Sequence, residues 1–322
     1  MRQIVFTARE QASLIDVPDH AGPIGPGDVR GRTLVSLVSP GTELNFGYLG
    51  SSFPRNPGYA CVFEVDEVGA DITDMKPGAV VFGSGPHVER QMASRKSVIP
   101  LPEGLSAEVA VFARLIGVSM STLNNSAAHP PARVLVTGLG PVGNLAAQVF
   151  SRCGYTVTAV DPVEARRDSA VAAGLRDVRG SVAEGKDDLI GKVALHLECS
   201  GHEQAALDGC KCVCKRGEVV LIGVPWKRRT DIASFEVLHA VFHRYAVLRS
   251  GWEWEAPLQP ADFSFNSIPA NFAAALEWLK EGSIKVDNLA ATYPPTAAQE
   301  VYQGLLAQSL PTPGAIFDWR GR

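Results

Sequence analysis

The pattern of apolar and polar positions changes once along this chain. In residues 1–100, short runs rich in Val and Ile are broken at regular intervals by Gly and Pro, as in GDVRGRTLVSLV and YACVFEVDEVG. Runs of this kind with frequent turn signals predict a small all-β unit. The next stretch, SAEVAVFARLIGVSMSTLNNSA, has helical periodicity until AHPPA interrupts it.

Beyond this interruption, nearly continuous apolar strands alternate with helices. The strand-like runs are RVLVTG, YTVTAVD, VALHLECSG and EVVLIGVP, and segments such as NLAAQVFSRCG and EQAALDGCKCVCKRG between them predict helices. The alternation is typical of a parallel sheet covered on both faces. YAVLRSGW predicts one more strand, and the tail predicts two amphipathic helices and a last strand, GAIFDW.

Composition and charge exclude several classes of protein. The 322 residues are 46% hydrophobic and 20% charged, which is ordinary for a soluble globular protein of two domains or one large one. A net charge of −4 argues against nucleic acid or an anionic membrane as the main partner. No apolar run approaches the roughly 20 residues of a membrane helix, and the N-terminus lacks a signal peptide's apolar segment. We therefore expect a cytoplasmic protein.

A glycine-rich turn joins the strand RVLVTG to the following helix. It reads Gly138-x-Gly140-x-x-Gly143, and Asp161 ends the next strand 23 positions after the first glycine. This arrangement is close to the dinucleotide-binding fingerprint, with its acid about 20 residues on. Gly138 allows the tight turn, Gly140 lets a pyrophosphate approach, and Gly143 lets the helix pack closely. A bend without a ligand is the alternative.

The residues around this turn bear on the choice of cofactor. Pro141 and Val142 begin a helix whose free N–H groups and positive dipole end suit phosphates. Asp161 can accept hydrogen bonds from both ribose hydroxyls of NAD and would repel the 2′-phosphate of NADP. Arg166 and Arg167 can instead accept that phosphate, or lie on a solvated helix face, with Arg166 stacking on adenine. We expect NAD(H) in preference to NADP(H).

The order of these segments resembles the medium-chain dehydrogenase/reductase superfamily over essentially the whole chain. ECSG, GEVVLIGVP and AALEWLKEGSI are similar to segments of its polyol/threonine dehydrogenase-like branch. The resemblance implies an α/β fold, with a GroES-like β-rich catalytic domain at 1–124, completed by 266–322, and a doubly wound parallel-sheet (Rossmann) cofactor domain at 125–265. It also implies an active site in the cleft between the domains, Ser200 and Gly223 at the cofactor, and a homodimer or homotetramer.

Zinc members of this superfamily carry ligands in C-G-S-D and G-H-E, and this chain departs from both. The matching runs are PGTE and GYA, so Pro40 stands at the Cys position, while Tyr59 and Ala60 stand at the His and Glu positions. A further ligand position aligns with Arg114. A catalytic zinc takes three N, S or O ligands from protein, and none of these residues supplies one. The four-cysteine lobe of structural zinc is also absent, so we expect no metal.

Without a metal, the residues at these positions become the catalytic candidates. The Tyr59 phenol can donate a proton or simply pack, and Thr42 matches a hydroxyl of the family's proton relay or serves a turn. Arg114 can bind an anionic substrate group or form a salt bridge. Glu43 can be a base, although a structural carboxylate is the favoured interpretation. His87 is interpreted as a loop residue, because the sequence offers it no partner.

Three functions follow from these residues. The leading one is a zinc-independent, NAD(H)-dependent oxidoreductase that transfers hydride between nicotinamide and a secondary alcohol or ketone of a polyol, sugar-like or biosynthetic small molecule. The second is a zinc-less enone or quinone reductase using NAD(P)H. Such reductases usually prefer NADPH, and Asp161 argues against that preference. The third, of another class, is a catalytically silent nucleotide-binding protein.

Overall fold

A computed structural model describes residues 1–19, 22–185, 188–260 and 266–321. The chain divides into two compact units. The first comprises Met1–Arg114, Phe272–Glu281 and Asn288–Arg322, and the second comprises Leu115–Asn271 and Gly282–Asp287. The limits expected from the sequence, 124/125 and 265/266, differ from these boundaries and stay a prediction.

The strands and helices have the following bounds. The strands are β1 (Arg2–Ala8), β2 (Gln11–Asp16), β3 (Asp28–Leu37), β4 (Cys61–Val68), β5 (Val80–Gly83), β6 (Arg90–Ser94), β7 (Ile99–Pro100), β8 (Arg133–Thr137), β9 (Thr156–Val160), β10 (Asp177–Arg179), β11 (Val193–Glu198), β12 (Val213–Leu221), β13 (Val247–Ser250), β14 (Ala291–Tyr293) and β15 (Ala315–Asp318). The helices are α1 (Pro40–Thr42), α2 (Ala107–Ala110), α3 (Ala113–Asn125), α4 (Pro141–Arg152), α5 (Glu164–Ala172), α6 (Glu203–Cys212), α7 (Ser234–Arg244), α8 (Ile268–Lys280) and α9 (Ala298–Ala307). None of the described helices is long and apolar enough to cross a bilayer.

The first unit is built on a sheet in the order β14-β15-β3-β4-β5-β7, with β6 also paired to β3. The tail of the chain completes it, because β15 runs antiparallel to β3 and sets Ile316 opposite Leu37. Helix α9 adds Tyr302 to a buried core that also contains Phe6 and Phe317. These contacts confirm the expected β-rich, GroES-like unit.

The second unit is a parallel sheet in the order β10-β9-β8-β11-β12-β13. Numbered by appearance in this unit, the order is 3-2-1-4-5-6, which is that of the doubly wound dinucleotide-binding fold. Strands β8 and β11 are neighbours where the order reverses, and their last residues, Thr137 and Glu198, lie side by side. The glycine turn and the ECSG segment therefore meet at the position where such sheets bind ligands.

One predicted helix is shorter than expected. EQAALDGCKCVCKRG predicts a helix throughout, but α6 ends at Cys212 and β12 begins at Val213. Val213 is fully buried and pairs with Val193 in the parallel sheet. The burial of this β-branched residue in the sheet outweighs the helical pattern of the segment before it.

Candidate functional site

Gly138 makes the sharp turn at the end of β8 and contacts the loop that follows β11. Its φ is +84°, in the left-handed region that favours glycine. A Cβ built on Gly138 would lie 2.7 Å from Cβ and 2.8 Å from the backbone nitrogen of Ser200. Only glycine therefore fits both this conformation and this close approach. Gly138 and Ser200, two residues predicted to bind the cofactor, thus lie in contact.

The two following glycines have different surroundings. A Cβ on Gly143 would overlap the carbonyl oxygen of Gly138, whereas a Cβ on Gly140 would meet no heavy atom within 4 Å. Gly140 is also the N-cap of α4, and no side chain caps that end of the helix. Pro141 and Val142 form the first turn there. Open space thus faces an uncapped helix N-terminus, which is the arrangement that fits a phosphate group.

Asp161 holds the glycine turn against the end of β9. Its side chain is buried, with Oδ2 accepting the backbone N–H of Leu139 at 2.7 Å and Oδ1 that of Val163 at 2.8 Å. Nη1 of Arg166 lies 3.4 Å from Oδ2. The structure thus gives Asp161 a structural role that the sequence did not predict, in addition to its position at the carboxyl end of a parallel strand.

Glu198 fixes the loop that follows β11, at the same edge of the sheet. Its buried carboxylate accepts the backbone N–H groups of Ser200 at 2.7 Å and Gly201 at 2.9 Å, together with the Ser200 hydroxyl. Burial raises the pKa of Glu198, and the hydrogen bonds from Ser200 and Gly201 oppose that rise. A Cβ on Gly223 would overlap the backbone nitrogen of Gly201. This role of Glu198 was not predicted from the sequence. The signal that could have revealed it is an acidic residue at the end of an apolar strand.

In the first unit, the structure brings Tyr59, Thr42 and Arg114 together. The guanidinium carbon of Arg114 lies 4.7 Å from the centroid of the Tyr59 ring and 5.6 Å from that of Phe272. Arg114 is 6% exposed, so this cation lies against two aromatic rings in a largely dry environment. The side chains of Ser39 and Thr42 act on the Tyr59 hydroxyl as well.

These neighbours set the acidity of the Tyr59 phenol. Burial raises the pKa of Tyr59, and the charge of Glu43 raises it further. Hydrogen bonds to Ser39 and Thr42 and the charge of Arg114 lower it, but the net pKa lies above the usual value of 10.0. Tyr59 is therefore a protonated hydrogen-bond donor near neutral pH.

Glu43 faces away from this phenol into a buried polar network. Its side chain is 4% exposed; Oε1 accepts the backbone N–H of Ser39 at 2.7 Å, and Oε2 accepts the hydroxyl of Tyr302 at 2.6 Å. Burial and the adjacent Glu43 both raise the pKa of Tyr302. Nε2 of His87 lies 3.0 Å from the same Oε2. We call Glu43, His87, Ser36, Tyr302 and Trp319 the Glu43 network.

His87 is a loop residue, as expected, but it has partners that the sequence did not reveal. It lies in a connecting segment, but its side chain is fully buried and its Nδ1 is 2.8 Å from Oγ of Ser36. Nε1 of Trp319 donates to that same hydroxyl at 2.9 Å. The backbone of His87 is also fixed, since its carbonyl accepts the N–H of Ile4 at 2.9 Å. The isolated Ser36 within the apolar run TLVSLV was the available signal.

The positions that would hold zinc in related enzymes do not form a metal site in this chain. Tyr59 and Arg114 stack on each other there, and Pro40 and Ala60 offer no side-chain ligand. Within residues 1–19, 22–185, 188–260 and 266–321, no three His, Cys, Asp or Glu side chains group closely enough to hold a metal ion. This set of side chains does not fit zinc.

Comparison with known proteins agrees with this fold. The family described as zinc-binding dehydrogenase matches residues 141–256. The chain is 28% identical over 187 residues to an uncharacterized zinc-type alcohol dehydrogenase-like protein, YphC, of Escherichia coli, covering 54% of this chain and 51% of that protein. It is 27% identical over 241 residues to D-guloside 3-dehydrogenase of Shigella flexneri, covering 64% and 68%. The matched region thus spans about half the length of the first of these relatives.

The solved structures are similar over the full length. Galactitol-1-phosphate dehydrogenase from Escherichia coli superposes with a TM-score of 0.81 at 16% sequence identity, covering 99% of this chain and 100% of that one. The chain therefore has the fold of the medium-chain dehydrogenase/reductase enzymes, and residues 141–256 match the zinc-binding dehydrogenase family.

Proposed function

We propose that this protein is a zinc-independent oxidoreductase that transfers hydride between NAD(H) and a secondary alcohol or ketone of a small polyol or sugar-like molecule. The observation that carries the proposal is the open space at Gly140, in front of the uncapped N-terminus of α4. The similarity to D-guloside 3-dehydrogenase supports an oxygen-rich substrate.

The residues of the second unit fit a dinucleotide. Gly138, Gly140 and the first turn of α4 would hold the pyrophosphate, and Ser200 and Gly223 line the neighbouring loops. Asp161 would face the ribose, which favours NAD(H) because a 2′-phosphate beside a carboxylate is repelled. When bound, NAD(H) would supply or accept the hydride.

Proton transfer in the proposed reaction falls to the first unit. In ketone reduction, Tyr59 donates its hydroxyl proton to the substrate oxygen; in alcohol oxidation, the tyrosinate takes that proton back. Ser39 and Thr42 hold the hydroxyl, and Arg114, 4.7 Å from the ring, stabilises the negative charge that the phenol acquires. These residues supply the acid/base function that a metal supplies in zinc relatives.

Cofactor binding tests the proposal first. Fluorescence titration with NADH and NADPH is carried out on the wild type, on Gly140→Ala and on the control Gly27→Ala, whose Cβ also meets nothing within 4 Å. We expect tighter binding of NADH, a loss of about tenfold or more in Gly140→Ala, since a methyl group occupies the ligand's space, and no change in the control. Unchanged affinity in Gly140→Ala would remove the predicted site, and a preference for NADPH would overturn the cofactor assignment.

Turnover on a panel of alcohols, ketones, enones and quinones tests the reaction. Oxidation of secondary alcohols or reduction of ketones supports the proposal. Activity restricted to enones or quinones would favour the reductase alternative, and tight NADH binding without turnover would favour a silent binding protein. One zinc per chain by elemental analysis would contradict a metal-free reaction.

A further inference from the structure

The hydrogen bonds of the Glu43 network give every buried polar hydrogen an acceptor in one direction only. The indole N–H of Trp319 is a donor without acceptor capacity, so the Ser36 hydroxyl must accept from it at 2.9 Å. That buried hydroxyl has one hydrogen of its own, and among the described residues the only acceptor within reach of it is Nδ1 of His87, 2.8 Å away, so the hydrogen points there. A ring that accepts at Nδ1 carries its own hydrogen on Nε2, which faces Glu43.

Three donors converge on the Glu43 side chain at the end of this chain of hydrogen bonds. Oε2 accepts from Nε2 of His87 at 3.0 Å and from the Tyr302 hydroxyl at 2.6 Å, while Oε1 accepts the Ser39 N–H at 2.7 Å. A carboxylate accepts all three, whereas a protonated carboxyl would add a fourth hydrogen where three already point. The network is therefore complete with a neutral His87 and a charged Glu43.

Glu43 is connected to the proposed acid through one short turn. Its Oε1 fixes the backbone of Ser39, and α1, Pro40–Thr42, follows immediately. Ser39 and Thr42, at the two ends of this turn, are residues whose side chains lower the pKa of the Tyr59 phenol. A displacement of Glu43 would thus move both groups that hold the phenol.

We propose that Glu43 is a positioning residue: Trp319, Ser36 and His87 hold it as a buried carboxylate, and it in turn fixes the Ser39–Thr42 turn and keeps the Tyr59 phenol as a proton donor. This inference rests on the role of Tyr59 in the proposed function. The charged groups that act on the phenol are Glu43, which raises its pKa, and Arg114, which lowers it.

The first test is the position of the hydrogen on the His87 ring, read from its ¹⁵N chemical shifts in the full chain. A His87→Gln variant, in which the signals disappear, assigns them. We expect the hydrogen on Nε2 in the wild type. In Glu43→Gln, the amide oxygen keeps the Ser39 N–H and the amide NH₂ faces the ring, so the hydrogen moves to Nδ1. A doubly protonated ring or a hydrogen on Nδ1 in the wild type would overturn the proposal, even if Glu43→Gln fails to fold.

The second test is the titration of Tyr59 by tyrosinate absorbance, isolated as the difference between each protein and its Tyr59→Phe counterpart. We expect Glu43→Gln to move the Tyr59 midpoint to lower pH, and the alkaline limb of kcat/KM to move with it. The control is Glu89→Gln, a carboxylate of the same unit that accepts the Arg2 N–H at 2.8 Å, and it should leave the midpoint unchanged.

Failure of this inference is distinguishable from failure of the proposed function. An unshifted Tyr59 midpoint in a folded Glu43→Gln variant would leave Glu43 only a structural role and overturn the inference. Full activity of Tyr59→Phe would instead remove the proposed proton donor, while the position of the His87 hydrogen and the Tyr59 titration would still report on Glu43.

Discussion

Nε2 of His87 lies 3.0 Å from Oε2 of Glu43, and the two side chains are 0% and 4% exposed. A buried carboxylate is stable only where donors compensate for its lost hydration, and here a backbone N–H, an imidazole and a phenol do so. The network therefore contributes to stability as a whole, because the loss of any member removes a hydrogen bond from at least one buried neighbour.

Glu43→Ala should be among the most destabilising substitutions in the first unit. It leaves Ser39 N–H, the His87 ring and the Tyr302 hydroxyl without their acceptor, at a cost of about 3 kcal/mol or more in the free energy of unfolding. Urea unfolding measures the change. Glu89→Ala, which removes a partly exposed ion pair to Arg2, should cost about 1 kcal/mol or less. Equal losses in the two variants would contradict this account of the network.

The glycine turn should separate folding from binding. In Gly143→Ala the methyl group would overlap the Gly138 carbonyl oxygen, so α4 must shift from the sheet, and we expect a loss of about 2–3 kcal/mol. Gly140→Ala should unfold at nearly the wild-type temperature, because its methyl group enters open space. Thermal unfolding without cofactor makes the comparison. A large loss in Gly140→Ala would mean that its surroundings are more crowded than the structure indicates.

His196 should make stability fall in mild acid. The side chain is fully buried and Nε2 lies 2.8 Å from Oγ1 of Thr137; burial lowers its pKa from 6.5 to about 3. Below pH 6.5, His196 therefore binds a proton in the unfolded chain but stays neutral in the folded chain. This difference lowers the free energy of unfolding by about 1.4 kcal/mol per pH unit between 6.5 and about 3.

The measurement is the free energy of unfolding against pH for the wild type and for His196→Gln. His196→Gln should lack this pH dependence of the free energy of unfolding. His243→Gln should keep it, because His243 is an exposed histidine of α7. Glu198 acts in the opposite sense, since its raised pKa favours the folded state as pH falls, and comparing variants cancels its contribution. Parallel curves for wild type and His196→Gln would refute the assignment.

Arg114→Met should act on Tyr59 in the direction opposite to Glu43→Gln. The Arg114 charge lowers the pKa of the phenol, so its removal should raise that pKa and move the tyrosinate midpoint to higher pH. Arg55→Met is a matched control, because Arg55 lies 4.2 Å over the Phe46 ring in the same unit and plays no part at Tyr59. An unchanged or lower midpoint in Arg114→Met would show that the guanidinium does not act on the phenol.

The sheet of the second unit and its glycine turn were accessible from the sequence because their signals are local. Each strand is a short apolar run, and Gly138, Gly140 and Gly143 fall within six residues between a strand and a helix. The resemblance aligned Tyr59 and Arg114 with positions of one metal site, and the structure places the two side chains in contact, which the sequence analysis did not predict. Their roles in binding and catalysis stay predictions.

The Glu43 network was not accessible in the same way. Glu43 meets His87 across 44 positions and Tyr302 across 259 positions of sequence, and no periodicity records contacts of that range. Each residue on its own has an ordinary explanation: a histidine in a loop, a tyrosine on an amphipathic helix. Only the pairing of β15 with β3 and the docking of α9 bring these residues to one place.

The late position of Tyr302 and Trp319 has a consequence for biosynthesis. A ribosome releases Glu43 and Ser36 more than 250 residues before their partners on α9 and after β15. Nearly all of the second unit, Leu115–Asn271, leaves the ribosome in one continuous stretch within that interval. Since domains fold as units during synthesis, the parallel sheet of the second unit can form first. Until the end of the polypeptide arrives, Glu43 lacks the hydroxyl of Tyr302 and Ser36 lacks the indole N–H of Trp319, so the nascent first unit cannot complete the Glu43 network.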